Sequence, residues 1–125
     1  MATRSTIGIV GGNKIYCHWD GYTENNGRIL LEHYNTTEKV RELLSLGSLS
    51  ILGERTTPTE GSGHSFESPE EGVCVAYHRD RGEELRTNWT SWEEYNYQWD
   101  GNRWKVRREG RRWVALTHKM CGIEG

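Results

Sequence analysis

The segment from Ile15 to Tyr22 places several side chains that can contact a ligand around one glycine-bearing turn. Tyr16 and Trp19 offer aromatic rings, an imidazole and a carboxylate lie beside them, and Arg28 follows in the first turn of an expected helix. Aromatic rings stack on flat groups, and a guanidinium near a helix start attracts phosphate. The segment therefore suits a flat, anionic ligand such as a nucleotide. A core strand followed by an ordinary turn is the alternative, because Tyr and Trp mostly pack.

Arginines beside turns extend the same chemistry along the chain. A planar guanidinium can donate two hydrogen bonds to one phosphate. A purine nucleotide also needs a ring to stack on and amide or imidazole partners, and Tyr77, His78 and Asn88 offer these close to Arg79 in the sequence. This combination favours a protein that binds a small anionic nucleotide. The arginines beside turns or element ends are Arg28, Arg55, Arg79, Arg81, Arg86 and Arg107.

Residues for catalysis or metal binding are scattered rather than grouped. The five His and three Cys show no zinc-type spacing, and neighbouring Cys17 and His18 would point to opposite faces of a strand. The acid pairs, such as Glu70 and Glu71, lie in polar segments where charged surface is the usual explanation. We therefore expect no enzyme activity, no metal and no cofactor.

The composition indicates one small domain over residues 1–125 that forms an oligomer. Hydrophobic residues make up only 34% of the 125, although 6 Trp and 6 Tyr are present, so a few large rings must supply the core. Burying further surface between subunits would stabilise so small a core. We expect a homo-oligomer, a dimer or larger.

The charge distribution disfavours duplex nucleic acid as a partner but allows a local anion pocket. The net charge is -2, so no global positive field attracts a polyanion, yet six cationic residues fall within Arg103–Arg112. Three cysteines without C-x-x-C spacing or a secretion signal predict free thiols in a cytoplasmic compartment. No stretch approaches about 20 apolar residues, so we expect no membrane partner.

Turn chemistry and hydrophobic periodicity predict an α+β fold: a small antiparallel β-sheet with two short helices packed on one side. Gly11-Gly12-Asn13 and Asp100-Gly101 predict two hairpins, and the apolar segment Gly72–Arg79 predicts a central strand. Short helices are expected at Ile29–Tyr34 and from Thr36 or Thr37 to Gly47, and a further helix start at Thr90–Glu94. Residues 54–70 are rich in turn formers and predict a mobile loop, and Arg111–Leu116 predicts a last strand.

Four segments resemble a family of small proteins from phages and prophages of Gram-positive bacteria, the first type of Thoeris anti-defence protein. The resemblance runs in patches from about Ile7 to Val106. The segments are Ile15–Tyr22, Leu30–Tyr34, Lys39–Gly47 and Val75–Glu83.

The resemblance implies a phage-encoded sponge that sequesters, without cleaving, a cyclic ADP-ribose isomer made by a bacterial TIR-domain enzyme in the cytoplasm of the infected host. It implies a ligand held between subunits, with Arg28 and Arg107 on the pyrophosphate and Tyr77 and Asn88 on the base. A separate site for cyclic oligonucleotides is also implied, for which Arg55 is the candidate.

Two other classes of function remain open at this point. One is a phosphodiesterase acting on the same messenger. The other is an inhibitor that binds a host defence protein through an exposed hairpin of Trp and Arg residues.

Overall fold

A computed structural model describes residues 2–123 and shows an α+β fold built on one mixed sheet of seven strands. The strand order is β4-β3-β2-β1-β5-β6-β7, so β1 lies at the centre. The strands are β1 (Ser5–Ile9), β2 (Lys14–Cys17), β3 (Leu49–Ile51), β4 (Val75–Ala76), β5 (Tyr95–Trp99), β6 (Trp104–Arg108) and β7 (Val114–Ala115). The helices are α1 (Arg28–His33), α2 (Thr37–Ser45) and α3 (Tyr77–Arg81), and a π-helical turn (Thr23–Gly27) leads into α1.

The expectation of a purely antiparallel sheet is wrong at two of the strand pairs. β1 pairs with β5 in parallel and β2 pairs with β3 in parallel, whereas the other neighbouring pairs are antiparallel. A parallel pair needs a long crossover connection. Helices α1 and α2 supply this connection between β2 and β3. Between β1 and β5 the chain first forms β2, β3, β4 and all three helices.

Both predicted hairpins are confirmed by the antiparallel pairs β1–β2 and β5–β6. A local turn forms each of them. Gly11 adopts a φ of 76° between β1 and β2, and Gly101 adopts 100° between β5 and β6. The Asp100 carboxylate accepts hydrogen bonds from the backbone N–H groups of Asn102 and Arg103 at 2.8 and 2.9 Å. These contacts fix the register in which Trp99 faces Trp104.

Helices α1 and α2 pack on the same face of the sheet. The indole of Trp104 donates to the Tyr34 carbonyl at 2.7 Å, and that of Trp99 donates to the Thr37 hydroxyl at 2.9 Å. Trp99 and Trp104 are cross-strand partners, so both helices lie over one face, which we call the helix-covered face. Thr36 caps α2 by accepting from the Lys39 N–H, as its position predicts.

The segment expected to form a central strand behaves differently. Val73 forms an isolated β-bridge with Arg55, Val75–Ala76 forms a two-residue strand at the edge of the sheet, and the chain then turns into α3. The Asp80 carboxylate accepts the Ala76 N–H at 2.8 Å, and Gly82 ends the helix with a φ of 75°. The Asp80 hydrogen bond and the left-handed conformation of Gly82 stabilise a helix where the sequence predicted a strand. The structure therefore has a third helix.

Two smaller expectations also differ from the structure. No helix forms at Thr90–Glu94, where the Glu93 N–H instead donates to the Asn96 side-chain oxygen at 3.0 Å. Strand alternation predicts that Ile15, Cys17 and Trp19 share one face. Ile15 and Cys17 are fully buried, but Trp19 lies beyond the end of β2 and is 42% exposed.

Candidate anion-binding cleft

A cleft of about 490 Å³ opens on the helix-covered face beside β7. Val106 and Val114 are cross-strand partners and form an apolar floor, and the ring of Tyr95 forms one wall. The guanidinium of Arg108 lies 5.0 Å from the centre of that ring. The lining residues, which we call the arginine cleft, are Thr23, Glu24, Tyr95, Val106, Arg108, Arg111, Arg112, Val114 and Met120.

Three guanidinium groups of the cleft carry uncompensated charge. Among residues 2–123, Arg108, Arg111 and Arg112 form no ion pair with a carboxylate within 4.0 Å. Other arginines are neutralised locally, as Arg28 is by Glu32. Clustered, unpaired cations beside an apolar floor create a positive potential that attracts an anion.

The β6–β7 connection positions these arginines. In β6 the side chains alternate, so Arg108 lies on the helix-covered face with Val106. The Arg111 N–H donates to the Arg108 carbonyl at 2.9 Å, and Gly110 adopts a φ of 78°. We call residues 108–112 the arginine turn, because its tight geometry brings Arg111 and Arg112 back toward Arg108.

The opposite wall of the cleft is the π-helical turn before α1. The Thr23 hydroxyl lies within hydrogen-bond distance of the Glu24 carboxylate (2.9 Å) and of the Met120 carbonyl (3.1 Å). Glu24 is exposed and can accept hydrogen bonds from hydroxyl or amino groups. The cleft thus presents cations on one side and a hydrogen-bond acceptor on the other.

Arg28, predicted as a ligand contact, begins α1 and pairs with Glu32 at 3.1 Å. It lines a separate cleft of about 410 Å³ together with Glu24, Glu32 and Glu54. This surrounding of carboxylates is less favourable to an anion than the arginine cleft.

The structure brings Tyr77, His78 and Arg79 together on α3. The Tyr77 ring lies 5.6 Å from that of Phe66, and the His78 imidazole contacts the Glu83 carbonyl through Nδ1 at 2.7 Å. The Arg79 guanidinium has a structural role, because it contacts the Asp80 carboxylate and donates to the backbone carbonyls of Thr56 and Cys74.

Asp80 connects α3 to the long loop between β3 and β4. Its carboxylate lies 3.2 Å from Nε2 of His64, a side chain that is 3% exposed. Burial opposes ionisation of Asp80, but hydrogen bonds from Arg79 and from the Ala76 N–H, together with the nearby His64 imidazole, outweigh it, and the pKa of the carboxyl falls below its usual value. Since Nδ1 of His64 accepts the Glu70 N–H at 3.0 Å, the proton of the neutral imidazole lies on Nε2.

The other predicted contacts lie apart from the arginine cleft. Arg55 in the loop donates to the Glu70 carboxylate at 2.8 Å and to the Glu71 carbonyl at 3.0 Å. Asn88 is exposed and lines a shallow cleft of about 470 Å³ with residues 85–91. Arg107 faces away from the helices, on the opposite face of the sheet from Arg108.

The aromatic segment Ile15–Tyr22 packs largely on its own neighbours. Tyr16 stacks on Trp89 with ring centres 4.5 Å apart, and its hydroxyl lies 2.7 Å from Nδ1 of His18. Thr6 pairs with both Tyr16 and Asn96, so this stack lies on the same face as Arg107.

The thiols are poor candidates for nucleophiles. Burial raises the pKa of Cys17 to about 12 and that of Cys121 to about 11, and it also raises the pKa of Cys74. All three are therefore protonated at neutral pH, whereas the thiolate is the reactive form.

No family model, curated protein or solved structure matches this chain. The cleft must therefore be interpreted from its own chemistry. Among residues 2–123, no three His, Cys, Asp or Glu side chains are grouped so that they could hold a metal ion. Over the same residues, no helix has both the length and the apolar character needed to cross a lipid bilayer.

Sequence reasoning detected the cationic run but selected Arg107 from it, and it missed Tyr95, Arg108, Arg111 and Arg112 as lining residues. The sequence signal that identifies Arg108 is the alternation of side chains between the two faces of β6. Val106 is apolar and buried, so its two-residue neighbour Arg108 shares the core face, whereas Arg107 does not.

Proposed function

We propose that the protein binds and sequesters, without cleaving, a cyclic nucleotide immune signal, a cyclic ADP-ribose isomer made by a bacterial TIR-domain enzyme. The observation that carries this proposal is the arginine cleft, with its three uncompensated guanidinium groups beside an aromatic wall and an apolar floor. The family resemblance of the sequence supports the same ligand.

The cleft has a suitable group for each part of such a ligand. Arg108, Arg111 and Arg112 match a pyrophosphate, because guanidinium groups form charge-assisted hydrogen bonds to phosphate oxygens. The Tyr95 ring and the valine floor suit a base, and Glu24 can accept hydrogen bonds from ribose hydroxyls. A volume of about 490 Å³ lies in the usual range for small-molecule sites.

We propose sequestration rather than turnover, and the groups at the cleft support this. Among residues 2–123, the lining holds one carboxylate, Glu24, and no cysteine or histidine. In the cytoplasm of an infected host, a phage-encoded sponge would then act stoichiometrically, with tight binding and slow release in place of catalysis.

A homo-oligomer of at least two copies is part of the proposal. Arg28 starts a helix on the helix-covered face, whereas Arg107 lies on the opposite face of the same subunit. If both residues serve one ligand, they must come from different copies. The exposed Val114 and Met120, at 43% and 37%, supply apolar surface beside the cleft that a second copy could cover.

A second site for cyclic oligonucleotides at Arg55 is also proposed. Its guanidinium is half exposed and contacts Glu70, so a phosphate would have to compete with that carboxylate. Binding at Arg55 would therefore release the Glu70 contacts of the loop.

The test is titration of the purified protein with cyclic ADP-ribose isomers, followed by heating and analysis of the released nucleotide. A sponge gives a sharp break at a fixed molar ratio and releases the nucleotide intact. Continued loss of messenger with a new product would show a phosphodiesterase and overturn the proposal.

One observation favours a second function, inhibition of a host defence protein by direct binding. Trp92 is 45% exposed and lies beside Trp113 and Arg107, residue types that dominate binding energy at protein interfaces. If no isomer is taken up, a stable complex with a host protein that is lost in Trp92→Ala would support this function instead.

A further inference from the structure

We propose that Trp92, Arg107 and Trp113 form an anchor on one face of the sheet that positions the arginine turn on the other. This inference rests on the proposed function for its consequence in ligand binding. It assigns Arg107 a positioning role and makes Trp113 the residue that connects the anchor to the cleft.

The anchor is a compact cation–π cluster. The guanidinium carbon of Arg107 lies 4.6 Å from the ring centre of Trp92 and 5.0 Å from that of Trp113. The two indoles contact each other edge-to-face at 5.7 Å. Nε of Arg107 is buried without a hydrogen-bond partner in residues 2–123, so the aromatic rings are the main contacts of this guanidinium.

Strand alternation connects this cluster to the opposite face. Val106 pairs with Val114, so the adjoining Arg107 and Trp113 both project away from the helix-covered face. Arg108 and Arg112, each one residue further into the turn, project back into the cleft. Fixing Trp113 therefore fixes the end of the arginine turn.

Backbone pairing alone holds this turn weakly. β7 has only 2 residues, both exposed, and its ladder to β6 consists of Lys105 with Ala115 and Val106 with Val114. Beyond that ladder, the Leu116 N–H donates to the Trp104 carbonyl, and the Glu109 N–H donates to the Glu94 carbonyl, which attaches the start of the arginine turn to the sheet. The later half of the turn has instead the local bond from the Arg111 N–H to the Arg108 carbonyl. A short, exposed strand pair opens easily, so side-chain contacts must supply the remaining order.

The far side of the cluster is attached to the centre of the sheet. Lys14 places its ammonium 4.2 Å from the ring centre of Trp92. The next residue, Glu93, exchanges backbone hydrogen bonds with the buried Asn96 side chain, which also accepts from the Thr6 hydroxyl at 2.8 Å. Contacts with β1, β2 and β5 thus hold Trp92 in place. Because Arg107 lies against both indoles, it also restricts the movement of Trp113.

The test begins with tryptic digestion of the ligand-free protein, because trypsin cleaves after arginine and the turn contains three of them. Cleavage of a folded protein follows the population of locally open states. We expect Trp113→Ala to accelerate cleavage after Arg108, Arg111 and Arg112 by about tenfold. Trp113→Phe, which keeps an aromatic ring for Arg107, should stay near wild type.

Two controls separate the anchor from general destabilisation. Cleavage after Arg81, which ends α3 beside β4 at the edge of the sheet opposite β7, should not change in Trp113→Ala. Trp19→Ala removes another exposed indole that contacts His18 rather than Arg107, and should leave cleavage of the turn unchanged. Equal acceleration at all sites in Trp113→Ala would overturn the anchor.

Binding of cyclic ADP-ribose then measures the consequence. Trp113→Ala and Arg107→Ala should each weaken binding by a similar factor, and the double variant should lose no more than either single variant. If Arg107 contacted phosphate directly, Arg107→Ala would weaken binding while the turn stayed resistant to trypsin, which contradicts the positioning role. If wild type binds none of the cyclic ADP-ribose isomers but the turn loosens as expected, the anchor stands and the proposed function fails.

Discussion

Arg107 and Arg108 are neighbours in β6, yet their side chains project from opposite faces of the sheet. Arg107 pairs with Asn96 and contacts two indoles, whereas Arg108 pairs with Tyr95 and enters the arginine cleft. Adjacent residues of one type therefore have different roles. Substitutions at the two positions should give different phenotypes.

The first prediction concerns the charge of the cleft. Arg111→Ala and Arg112→Ala should each weaken capture of a cyclic ADP-ribose isomer by about 10- to 100-fold, because each removes a charge-assisted hydrogen bond worth about 1.5–3 kcal/mol. Calorimetric titration measures the loss. Arg103→Ala is the matched control, since Arg103 lies just before β6, at the end of that strand away from the arginine turn, and does not line the cleft. Equal affinity in all three variants would remove the arginine turn from the site.

The second prediction concerns the aromatic wall. Tyr95→Phe should keep the dissociation rate of the ligand near wild type, whereas Tyr95→Leu should increase it, because stacking on a base contributes about 1–3 kcal/mol. Stopped-flow displacement measures this rate. A slow, unchanged release from Tyr95→Leu would show that the base binds elsewhere.

The third prediction tests whether two copies build one site. Arg28→Ala and Arg111→Ala should each weaken capture by about 10- to 100-fold, for the reason given in the first prediction. In the proposed oligomer, one subunit supplies Arg28 and its partner supplies Arg111. Mixing the two unfolded variants and refolding them together should restore part of the binding capacity, since some pairs then contain one site with both arginines. Separately refolded variants provide the baseline. No recovery in mixtures that do contain hybrid oligomers would place both arginines in the same subunit.

The fourth prediction concerns the long loop and pH. Hydrogen bonds from Ser62, from the Thr59 N–H and hydroxyl, and from Arg55 lower the pKa of Glu70 from 4.5 to about 2. A carboxyl with a depressed pKa stabilises the fold fully above its unfolded value and loses that contribution as pH falls through the folded value. The stability difference between wild type and Glu70→Gln should therefore be constant above pH 4.5 and disappear toward pH 2. Denaturant unfolding across this range measures it, and a difference that persists at pH 2 would contradict the assignment.

The fifth prediction concerns the core. Trp104 is 1% exposed and its indole donates to the Tyr34 carbonyl at 2.7 Å. Trp104→Phe should lower the free energy of unfolding by about 2–4 kcal/mol, because it leaves that carbonyl unpaired and opens a cavity. Urea denaturation gives the value. Trp19→Phe, at an exposed position, should change it little.

The sequence allowed the hairpins to be predicted because their turns are local, as at Asp100 and Gly101. The parallel pairing of β1 with β5 joins segments about 90 residues apart, exemplified by the bond from Thr6 to Asn96, and no local pattern encodes it. Helix α3 depends on a hydrogen bond from the Ala76 N–H to the Asp80 carboxylate. The β-branched residues before α3 predict a strand instead, so this helix was not predicted. The cationic cluster was evident from Arg103 to Arg112, but the choice between its members required the register of β6.

The central place of β1 has a consequence for synthesis of the protein in the cell. β1 can pair with β2 as soon as the first hairpin emerges from the ribosome, but its other edge stays open until Tyr95–Trp99 has been translated. An open strand edge is a template for pairing with other chains. In a nascent chain, the edge of β1 that later pairs with β5 is therefore open to aggregation through most of translation. The yield of folded protein should consequently depend on chaperones and on the speed of elongation.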